Sequence, residues 1–495
     1  MEKRNTAILN VSAGIIQQGL SIMAGFILPR LILSSFGSEI NGLISSLQQF
    51  LNYIGLFDGG VSVVIMTALY KPLSENDSEK ISSIIVAADS FFKKIGRAYV
   101  VYAVMLSMIY PIFVNTKFSW AYVASLSVIL GINLFVQYMF SITYRTLLIA
   151  DKMGYVVYFS QSVFCVINLL ISVAVIKIYP EIHLLKLLSA AAFAIQPLLY
   201  SHFVKKYYSI DKSVAADPTA LKQRWDGFGQ NFALFIHNNT DVVILTFLSS
   251  LQLVSVYSVY VIVINSIKTV ITTISQAIFP TVGHIYASGD DDRANEAFDA
   301  YELIMFSITS LLYGCVIVLL VPFVQIYTTG IDDADYYQPL FGVILSFAYA
   351  LECYQEPNLQ LSYIANKFKE TAKYSYVEAT INIVVSIILV WKWGLIGVAI
   401  GTVASVLYRI VCLAIYNKNN ILKRSFRKWL FGMLNSAVMV LLIYCISTHI
   451  ISWDGICVAL WIKNAFISFI LASIITIADI SLLYRDKLKI LLSMI

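Results

Sequence analysis

Leu33-Ser34-Ser35 near the start of this 495-residue chain recurs as Leu248-Ser249-Ser250, 215 residues further on (248 − 33). Ala150-Asp151-Lys152 recurs in the same way as Ala365-Asn366-Lys367, at the same offset (365 − 150). All four segments lie in or beside strongly apolar sequence. Repeats in the same order and register predict two similar lobes related by an axis along the membrane normal, an arrangement that many transporters use.

The charged residues inside the apolar segments do not follow this repeat. At the offset of 215, Arg30 corresponds to Leu245, and in the opposite direction Lys268 corresponds to Tyr53. The scaffold is therefore duplicated, whereas its deeply placed charges are not. This difference indicates that the charges serve a site rather than the fold.

The composition is that of an integral membrane protein. Hydrophobic residues make up 59% of the chain and charged residues 13%, about half the charged share of a soluble protein. A helix needs about 20 apolar residues to cross the hydrocarbon core. We predict an all-α polytopic membrane protein with fourteen transmembrane helices, at residues 8–33, 40–69, 98–115, 119–144, 155–178, 184–203, 227–249, 253–285, 301–328, 337–364, 374–391, 394–416, 431–450 and 456–484.

The basic residues predict the orientation of these spans. If the N-terminus is cytoplasmic, the loops on that side hold 26 of the 34 Lys and Arg residues, the opposite loops hold five, and Arg30, Lys268 and Arg409 lie inside spans. Basic loops stay on the cytoplasmic side, so we expect both termini there. Met1-Glu2-Lys3-Arg4 precedes a long span with no small-residue cleavage site close behind it, which predicts a retained helix rather than a removed signal peptide.

Polar stretches between the spans predict the boundaries of the parts. We expect an N-terminal six-helix lobe at 1–203, a cytoplasmic linker at 204–226 and a C-terminal six-helix lobe at 227–416. A basic cytoplasmic connector at 417–430 then leads to two additional helices and a cytoplasmic tail at 431–495.

Several classes of function are excluded by the sequence. No loop is long enough for a nucleotide-binding domain and no GxxxxGKS/T pattern occurs, which argues against an ATP-driven pump. The six cysteines have no paired spacing, so no disulfide framework or metal site is predicted. The net charge of +5 follows from topology and does not indicate nucleic-acid binding. Five scattered histidines without a nucleophile–base constellation predict that the protein is not an enzyme and needs no cofactor.

A few ionisable residues fall deep inside the predicted spans, where a charge costs about 2.5–3.5 kcal/mol on insertion scales. Lys268 lies near the middle of the eighth span, Asp58 past the middle of the second and Asp241 well inside the seventh. Glu352 lies near the centre of the tenth span, and Glu356 follows one turn later, so both should share one face of the helix. Such residues normally face water or a partner, which makes each one a candidate functional group.

Structural interpretations compete with the functional ones for several charges. Arg30 lies only a few residues from the outer end of the first span and can extend to the outer headgroups instead of facing a cavity. Asp58 can cap a local kink by hydrogen-bonding its own backbone. Asp241 and Lys268 can pair across neighbouring helices only to neutralise each other. Both kinds of interpretation stay open at this point.

The tenth span and its surroundings raise the same question. Glu352 and Glu356 can be buried neutral acids, although two acids on one face favour the handling of protons or cations. Pro357 predicts a local break in that helix, which is tolerated at this depth where backbone borders a cavity. His237 is interpreted as a packing residue, and Glu378 as a residue near the cytoplasmic end of its span.

Residues 80–97 have the pattern of an amphipathic helix. Apolar residues recur at helical spacing and basic residues follow, which predicts an interfacial helix leading into the third span. The apolar positions are Ile81, Ile84, Ile85, Ala88, Phe91, Phe92 and Ile95, and the basic ones are Lys93, Lys94 and Arg97.

Short motifs occur at corresponding places in the helices along the whole chain. They are Leu28-Pro29-Arg30-Leu31 with Phe36-Gly37, Asn41-Gly42-Leu43 and Phe57-Asp58-Gly59-Gly60, then Phe279-Pro280-Thr281-Val282 through Tyr286-Ala287-Ser288-Gly289-Asp290, and finally Gly394-Leu395-Ile396-Gly397-Val398-Ala399-Ile400-Gly401-Thr402. In this order and placement the chain resembles the Wzx-type polysaccharide flippases of the multidrug/oligosaccharidyl-lipid/polysaccharide exporter superfamily.

This resemblance implies two six-helix lobes forming a V around a central cavity, with two extra C-terminal helices. It implies alternating-access translocation of an undecaprenyl-diphosphate-linked oligosaccharide repeat unit across the bacterial plasma membrane, for capsule, exopolysaccharide or O-antigen synthesis. Membrane lipids and a polysaccharide polymerase are implied partners. Arg30 matches the family's first-helix arginine, so a cationic cavity role carries over to it, whereas Lys268 has no assigned counterpart.

The charge pattern suits a lipid with an anionic headgroup. Arg30 and Lys268 belong to different lobes, so we expect both to bind one diphosphate and thereby draw the lobes together. Coupling to a proton or sodium gradient is a further hypothesis, for which the candidates are Asp58, Asp241, Glu352 and Glu356.

Three other functions stay open. A cation-coupled multidrug exporter on the same scaffold usually has twelve helices, and the two spans after residue 430 exceed that number. A lipid II flippase has the same number of spans, but such proteins tend to place several arginines in the cavity, and this chain has few. A membrane scaffold for polymer assembly leaves Lys268 and Glu352 without a role.

Overall fold

The computed structural model describes residues 2–58, 60–217, 228–422 and 424–483, and every regular element in this part is helical. Eleven helical stretches among the described residues are long and apolar enough to cross a membrane. The prediction of an all-α polytopic membrane protein is thereby confirmed. Two further long helices, α9 (Phe228–Leu248) and α12 (Pro339–Ile364), are less apolar, because they carry polar residues that the functional site uses.

Residue contacts divide the chain into two compact units. Unit 1 comprises Met1–Phe235 and Ser250–Ser255. Its helices are α1 (Glu2–Asn52), α2 (Val61–Glu75), α3 (Ser78–Phe113), α4 (Trp120–Val136), α5 (Ile142–Ala150), α6 (Gly154–Ile178), α7 (Ile182–Phe193) and α8 (Gln196–Tyr207).

Unit 2 comprises Ile236–Ser249 and Val256–Ile495. The predicted lobe boundaries stay predictions, since residues 218–227 of the predicted linker lie outside the described residues. So do Lys423 of the connector and residues 484–495 of the tail. Unit 2 contains most of α9 and of α10 (Leu251–Ala287), then α11 (Asp291–Tyr327), α12, α13 (Phe368–Trp393), α14 (Leu395–Asn420), α15 (Phe426–Ile450) and α16 (Val458–Leu483).

Several helices extend beyond the apolar runs that predicted them. Helix α1 continues from the first predicted span into the second, with one break at Gly37, whose φ of 83° suits a residue without a side chain. The second predicted span is itself interrupted by the 3₁₀ turn Tyr53–Phe57, which separates α1 from α2. A π-helical turn, Gln137–Ser141, likewise separates α4 from α5.

The sequence repeat is visible in the turns between helices. Residues 151–153 join α5 to α6, and residues 365–367 join α12 to α13. Each turn has one non-glycine residue with positive φ, Lys152 at 63° and Asn366 at 56°. These two residues are 214 positions apart (366 − 152), so the backbone repeat is one residue shorter here than the letter match indicates.

Residues 80–97 are helical and lead into the third predicted span, as predicted, whereas their position at the membrane interface stays a prediction. This segment is the first half of α3, a continuous helix of 36 residues, about 54 Å long. Its apolar side chains, including Ile84 and Phe92, are buried in the core of unit 1 together with Leu69 and Leu147. An apolar stripe followed by cations looks the same in sequence whether lipid or protein covers it.

Helices α13 and α14 approach each other closely at two glycines of α14. A β-carbon on Gly397 would lie 2.5 Å from the carbonyl carbon of Leu389, and one on Gly401 would lie 3.0 Å from the backbone nitrogen of Ser386. Small residues four positions apart on one face allow two helix backbones to pack at such short distance. This packing positions α13 and α14 for the site described below.

The C-terminal helices are anchored to α11 within unit 2. The indole N–H of Trp461 in α16 donates to the carbonyl oxygen of Leu319, 3.0 Å away. Before α15, Arg424 binds the carboxylates of Asp299 and Glu302 on α11. Burial opposes the charge of Arg424, but these carboxylates outweigh it and raise the pKa of its guanidinium. The last residues of the basic connector are thus held against α11.

Replacing Gly397 by Ala should destabilise the protein by about 1–3 kcal/mol, because the added methyl group meets backbone that cannot rotate away. We expect the apparent unfolding midpoint of the detergent-solubilised protein to fall by several degrees. Gly19→Ala is the matched control, since its β-carbon would have no neighbour within 4 Å. Equal midpoints for the two variants would contradict the close approach of α13 and α14.

Candidate functional site

Lys268 of α10 forms an ion pair with Glu352 of α12 inside unit 2. The ammonium group also lies over the ring of Tyr349, 5.3 Å from its centroid. Tyr349 and Glu352 reach the same cation because residues three apart in a helix lie on one face. Lys268 is therefore held by one carboxylate and one aromatic ring.

This ion pair is the first link in a series of groups from five helices. Oε1 of Glu352 lies 3.4 Å from Nε2 of His237 on α9, and the same nitrogen lies 3.9 Å from Oε1 of Glu378 on α13. Nη1 of Arg409 on α14 donates to Oε2 of Glu378, at 2.6 Å. We call Lys268, Glu352, His237, Glu378 and Arg409 the charge chain.

Exposure falls along the charge chain. The side chain of Lys268 is 26% exposed and that of Glu352 is 11% exposed, whereas those of His237, Glu378 and Arg409 are at most 4% exposed. Lys268 is thus the member most accessible to a ligand. With a neutral imidazole, two cations balance two carboxylates, as burial of charge in an apolar bundle requires.

The charge chain changes three interpretations made from the sequence. Asp241 does not pair with Lys268, which pairs with Glu352 instead. Glu378 does not lie at the end of its helix, because α13 begins at Phe368, six residues before the predicted span (374 − 368), and Glu378 is fully buried. His237 does more than pack, since it lies between two carboxylates.

Asp241 belongs to a second group of polar side chains in unit 2. Its Oδ2 accepts hydrogen bonds from the hydroxyl groups of Tyr257 on α10, at 2.8 Å, and Thr402 on α14, at 3.1 Å. The amide of Asn382 on α13 donates to Thr402 Oγ1, at 3.2 Å. We call Asp241, Tyr257, Asn382 and Thr402 the oxygen cluster. All four residues are buried.

Two oxygens of the oxygen cluster have spare acceptor capacity. Oδ1 of Asp241 and Oδ1 of Asn382 are buried and accept no hydrogen bond within the described part of the chain. Buried polar atoms are normally paired, and an exception calls for a water, an ion or a functional role. Carboxylate, amide and hydroxyl oxygens are the ligands that hard cations prefer. The oxygen cluster is therefore chemically suited to a proton or a small hard cation.

The second acid of α12 also faces α10, as the sequence predicted. Glu356 accepts hydrogen bonds from the hydroxyl group of Ser275 on α10, at 3.4 Å, and from the amide of Gln360, at 2.7 Å. The predicted break at Pro357 is wrong, because α12 continues as one helix to Ile364. Gln355, Pro357 and Asn358 are buried, so the helix passes through the proline inside the protein.

Arg30 and Asp58, the other predicted site residues, belong to unit 1. Arg30 is half-buried in α1, seven residues before the break at Gly37, which corresponds to about 10 Å along the helix. Asp58 is half-buried where the chain leaves the 3₁₀ turn. Its carbonyl accepts from the N–H of Val61, at 2.6 Å, and its carboxylate from Ser62 Oγ, at 3.4 Å. These are the local capping contacts of the structural interpretation.

Unit 1 contains a nucleophile–base–acid spacing that the sequence did not reveal. Ser125 Oγ lies 2.9 Å from Nε2 of His183, whose Nδ1 lies 3.0 Å from Oε1 of Glu181. The same Nε2 lies 3.2 Å from the carbonyl oxygen of Tyr122. The hydroxyl group of Ser125 itself donates to this carbonyl oxygen, at 3.1 Å, so its hydrogen is directed at Tyr122 and not at the imidazole.

Glu181 instead has a structural role at the start of α7. Its carboxylate accepts from the backbone N–H groups of His183, at 3.1 Å, and Leu184, at 2.5 Å. Burial alone would raise the pKa of Glu181, but these hydrogen bonds outweigh it and lower the pKa. The group therefore stays ionised and caps the helix.

Removing one partner of the most deeply buried ion pair should be far worse than removing both. Arg409→Gln leaves Glu378 as an unpaired buried charge, with an expected cost of about 3–5 kcal/mol, and Glu378→Gln has the converse defect. The double variant E378Q/R409Q should recover most of this loss. Thermal unfolding of the purified protein measures each effect.

Glu370→Gln is the control for this double-mutant cycle. Glu370 pairs with Lys367 at 3.2 Å on the surface, and an exposed pair contributes only about 0–1 kcal/mol. A double variant whose loss equals the sum of the two single losses would contradict the coupling of Glu378 and Arg409.

No protein-family model and no curated protein matches the sequence. Solved structures do match its fold. The lipid II flippase MurJ in an inward closed conformation has a TM-score of 0.71 at 15% identity, over 97% of this chain and 99% of that chain.

Transporters of the MATE family match over a smaller share of this chain. The inward-facing conformation of a multidrug resistance MATE family transporter of the MOP superfamily has a TM-score of 0.61 at 13% identity, over 83% of this chain and 97% of its own. A Vibrio cholerae MATE transporter has a TM-score of 0.60 at 10% identity, over 84% and 98%. The chain therefore has the fold shared by MurJ and the MATE transporters.

Proposed function

We propose that this protein is a flippase that carries an undecaprenyl-diphosphate-linked oligosaccharide from the cytoplasmic to the outer leaflet of a bacterial plasma membrane, with both termini in the cytoplasm. The product would serve capsule, exopolysaccharide or O-antigen synthesis, with a polysaccharide polymerase as the next protein to act. The observation that carries the proposal is Lys268, a partly exposed cation deep in an apolar bundle, at the accessible end of the charge chain.

The chemistry of such a substrate fits this cation. A prenyl diphosphate has an apolar tail that can stay in the lipid and an anionic headgroup that cannot cross hydrocarbon unaided. An ammonium group binds phosphate as a point charge with three donors. The carboxylate of Glu352 holds Lys268 in this structure, and a phosphate oxygen can take the place of that carboxylate.

Arg30 is proposed as a second phosphate-binding residue, contributed by unit 1. It is half-buried on α1, and the sequence motif around it is the one that resembles the flippases. A guanidinium group presents a planar fork of donors that matches phosphate oxygens in pairs. Arg30 would thus offer a phosphate a different kind of cation from Lys268.

The alternatives are a lipid II flippase and a cation-coupled multidrug exporter. The match to MurJ extends over 97% of this chain, whereas the two MATE structures cover 83% and 84%. Helices α15 and α16, which pack on α11 in unit 2, are also two more than the twelve-helix plan of such an exporter contains. Both points support a flippase, and a transport assay run in parallel with lipid II and with another lipid-linked oligosaccharide separates the two kinds of cargo.

Coupling to an ion gradient is proposed for the oxygen cluster. Asp241 and Asn382 each hold a buried oxygen that accepts no hydrogen bond from any described residue, close to the hydroxyl groups of Tyr257 and Thr402. A sodium ion or a proton at Asp241 would neutralise the carboxylate and use that spare capacity. Glu356 and Asp58 are weaker candidates, because hydrogen bonds from Gln360 and Ser62 already occupy them.

Replacing Lys268 by Gln should lower translocation at least about tenfold, because a charge-assisted phosphate contact of about 1.5–3 kcal/mol is lost. The measurement uses proteoliposomes that contain a fluorescent lipid-linked oligosaccharide, with a membrane-impermeant quencher reporting transfer between leaflets. Lys463→Gln is the matched control, since Lys463 is exposed on α16. The control should transport like the wild type.

The double variant K268Q/E352Q separates transport from folding. Lys268→Gln alone leaves Glu352 without its cation, whereas the double variant leaves no unpaired charge at this position. We expect it to regain thermal stability but not transport. Full translocation by a stable double variant would refute the role of Lys268.

Asp241→Asn should uncouple transport from the ion gradient. In vesicles with an imposed proton or sodium gradient, we expect the wild type to move the fluorescent lipid faster than without a gradient, and the variant to show no such difference. Asp479→Asn is the control, because Asp479 is an acid in α16 that accepts hydrogen bonds from Asn435, outside the oxygen cluster. A wild-type translocation rate that is the same with and without each gradient would refute this part of the proposal.

A further inference from the structure

His237 lies at the centre of the charge chain, between the carboxylates of Glu352 and Glu378. Its Nε2 is 3.4 Å from Oε1 of Glu352 and 3.9 Å from Oε1 of Glu378. A carboxylate only accepts, so this nitrogen carries a hydrogen, which it donates to Glu352. Its Nδ1 is buried and makes no hydrogen bond within the described part of the chain. The imidazole can therefore take a second proton without giving up its contact with either carboxylate.

The charge balance around His237 depends on Lys268. While Lys268 pairs with Glu352 and Arg409 with Glu378, the four charged members of the charge chain sum to zero with a neutral imidazole. A phosphate that binds Lys268 draws this cation away from Glu352. Of the two hydrogen bonds that described residues give to Glu352, the one from the imidazole then remains. An unpaired buried charge is strongly unfavourable, and one proton on His237 restores the balance.

We propose that His237 is a positioning residue that couples phosphate binding at Lys268 to the uptake of one proton. The proposal rests on the proposed function, since it takes Lys268 as the cation that binds phosphate. The proton comes from water and adds to Nδ1, and Nε2–H then pairs with Glu352 as part of an imidazolium. When the phosphate leaves, Lys268 returns to Glu352 and the proton is released.

The other groups around His237 favour the charged imidazole in the loaded state. Three of these groups are carboxylates and two are cations. Arg409 is bound to Glu378, and Lys268 is neutralised by the phosphate. Sorted by helix, the titratable groups that face His237 and its carboxylate partners are Asp241 on α9, Tyr257 and Lys268 on α10, Tyr349 and Glu352 on α12, Glu378 on α13 and Arg409 on α14.

The sign of the pH dependence follows from proton linkage. The phosphate-bound state holds one proton more than the free state, so binding should tighten as pH falls, by up to about tenfold per pH unit. In a variant without the imidazole, the affinity should change with pH only through the ligand's own ionisation. The difference between the two slopes isolates His237.

The experiment measures proton uptake directly. Full-length protein in lipid nanodiscs is titrated with farnesyl diphosphate by calorimetry, at one pH, in two buffers with different enthalpies of ionisation. Both proteins are titrated with the same ligand, and we expect the wild type to take up about one proton more per bound ligand than His237→Gln. His202→Gln is the matched control, because His202 is exposed on α8 and should leave the uptake unchanged.

The possible outcomes separate this proposal from the proposed function. If Lys268→Gln binds farnesyl diphosphate as tightly as the wild type, the proposed function fails. If Lys268→Gln loses binding but the wild type takes up no proton, only the coupling through His237 is refuted, whether or not His237→Gln folds. If His237→Gln folds and takes up as many protons as the wild type, Glu352 accepts the proton itself and the assignment to His237 is wrong.

Discussion

A charge buried in an apolar helix bundle needs a counter-charge, and the site in unit 2 is built on that requirement. Lys268 alone would be costly at its depth, and Glu352 alone would be worse, because it is more deeply buried. Beyond Glu352 the series continues with the imidazole of His237 and the carboxylate of Glu378. It ends at the guanidinium group of Arg409, which neutralises Glu378. Lys268 and His237 share Glu352 as a partner, so moving the charge of Lys268 would change the electrostatic potential at His237.

Close helix packing makes this arrangement possible. Gly397 and Gly401 let α14 approach α13. Arg409 of α14 pairs with Glu378 of α13, and two turns earlier on the same face of α14 Thr402 accepts from Asn382. The charge chain and the oxygen cluster therefore share their supports. A shift of α14 would alter both the buried ion pair and the hydroxyl that Asp241 accepts from, so the proposed phosphate site and the proposed cation site would change together.

The sequence predicted the helices well and the partners of the charges poorly. Apolar runs mark spans because lipid demands them, and spacing along one helix is enough to place Glu352 and Glu356 on one face. Pairing between helices depends on packing, which no local pattern encodes. Glu378 and Arg409, opposite charges in adjacent spans, were a signal for such a pair. The apolar run of α13 starts later than the helix itself, and this made Glu378 resemble a terminal residue.

The ion pair between Lys268 and Glu352 also bears on release of the cargo. A free buried cation would gain the whole electrostatic energy of a diphosphate and would hold it tightly. A cation that must first leave a carboxylate gains only the difference between its interaction energies with the diphosphate and with that carboxylate. Its net affinity for the diphosphate is therefore moderate. At the corresponding position of the first repeat stands Tyr53. One repeat thus has a cation at a position where the other has a tyrosine, and this asymmetry suits the proposed carrier, which would have to bind and release one headgroup.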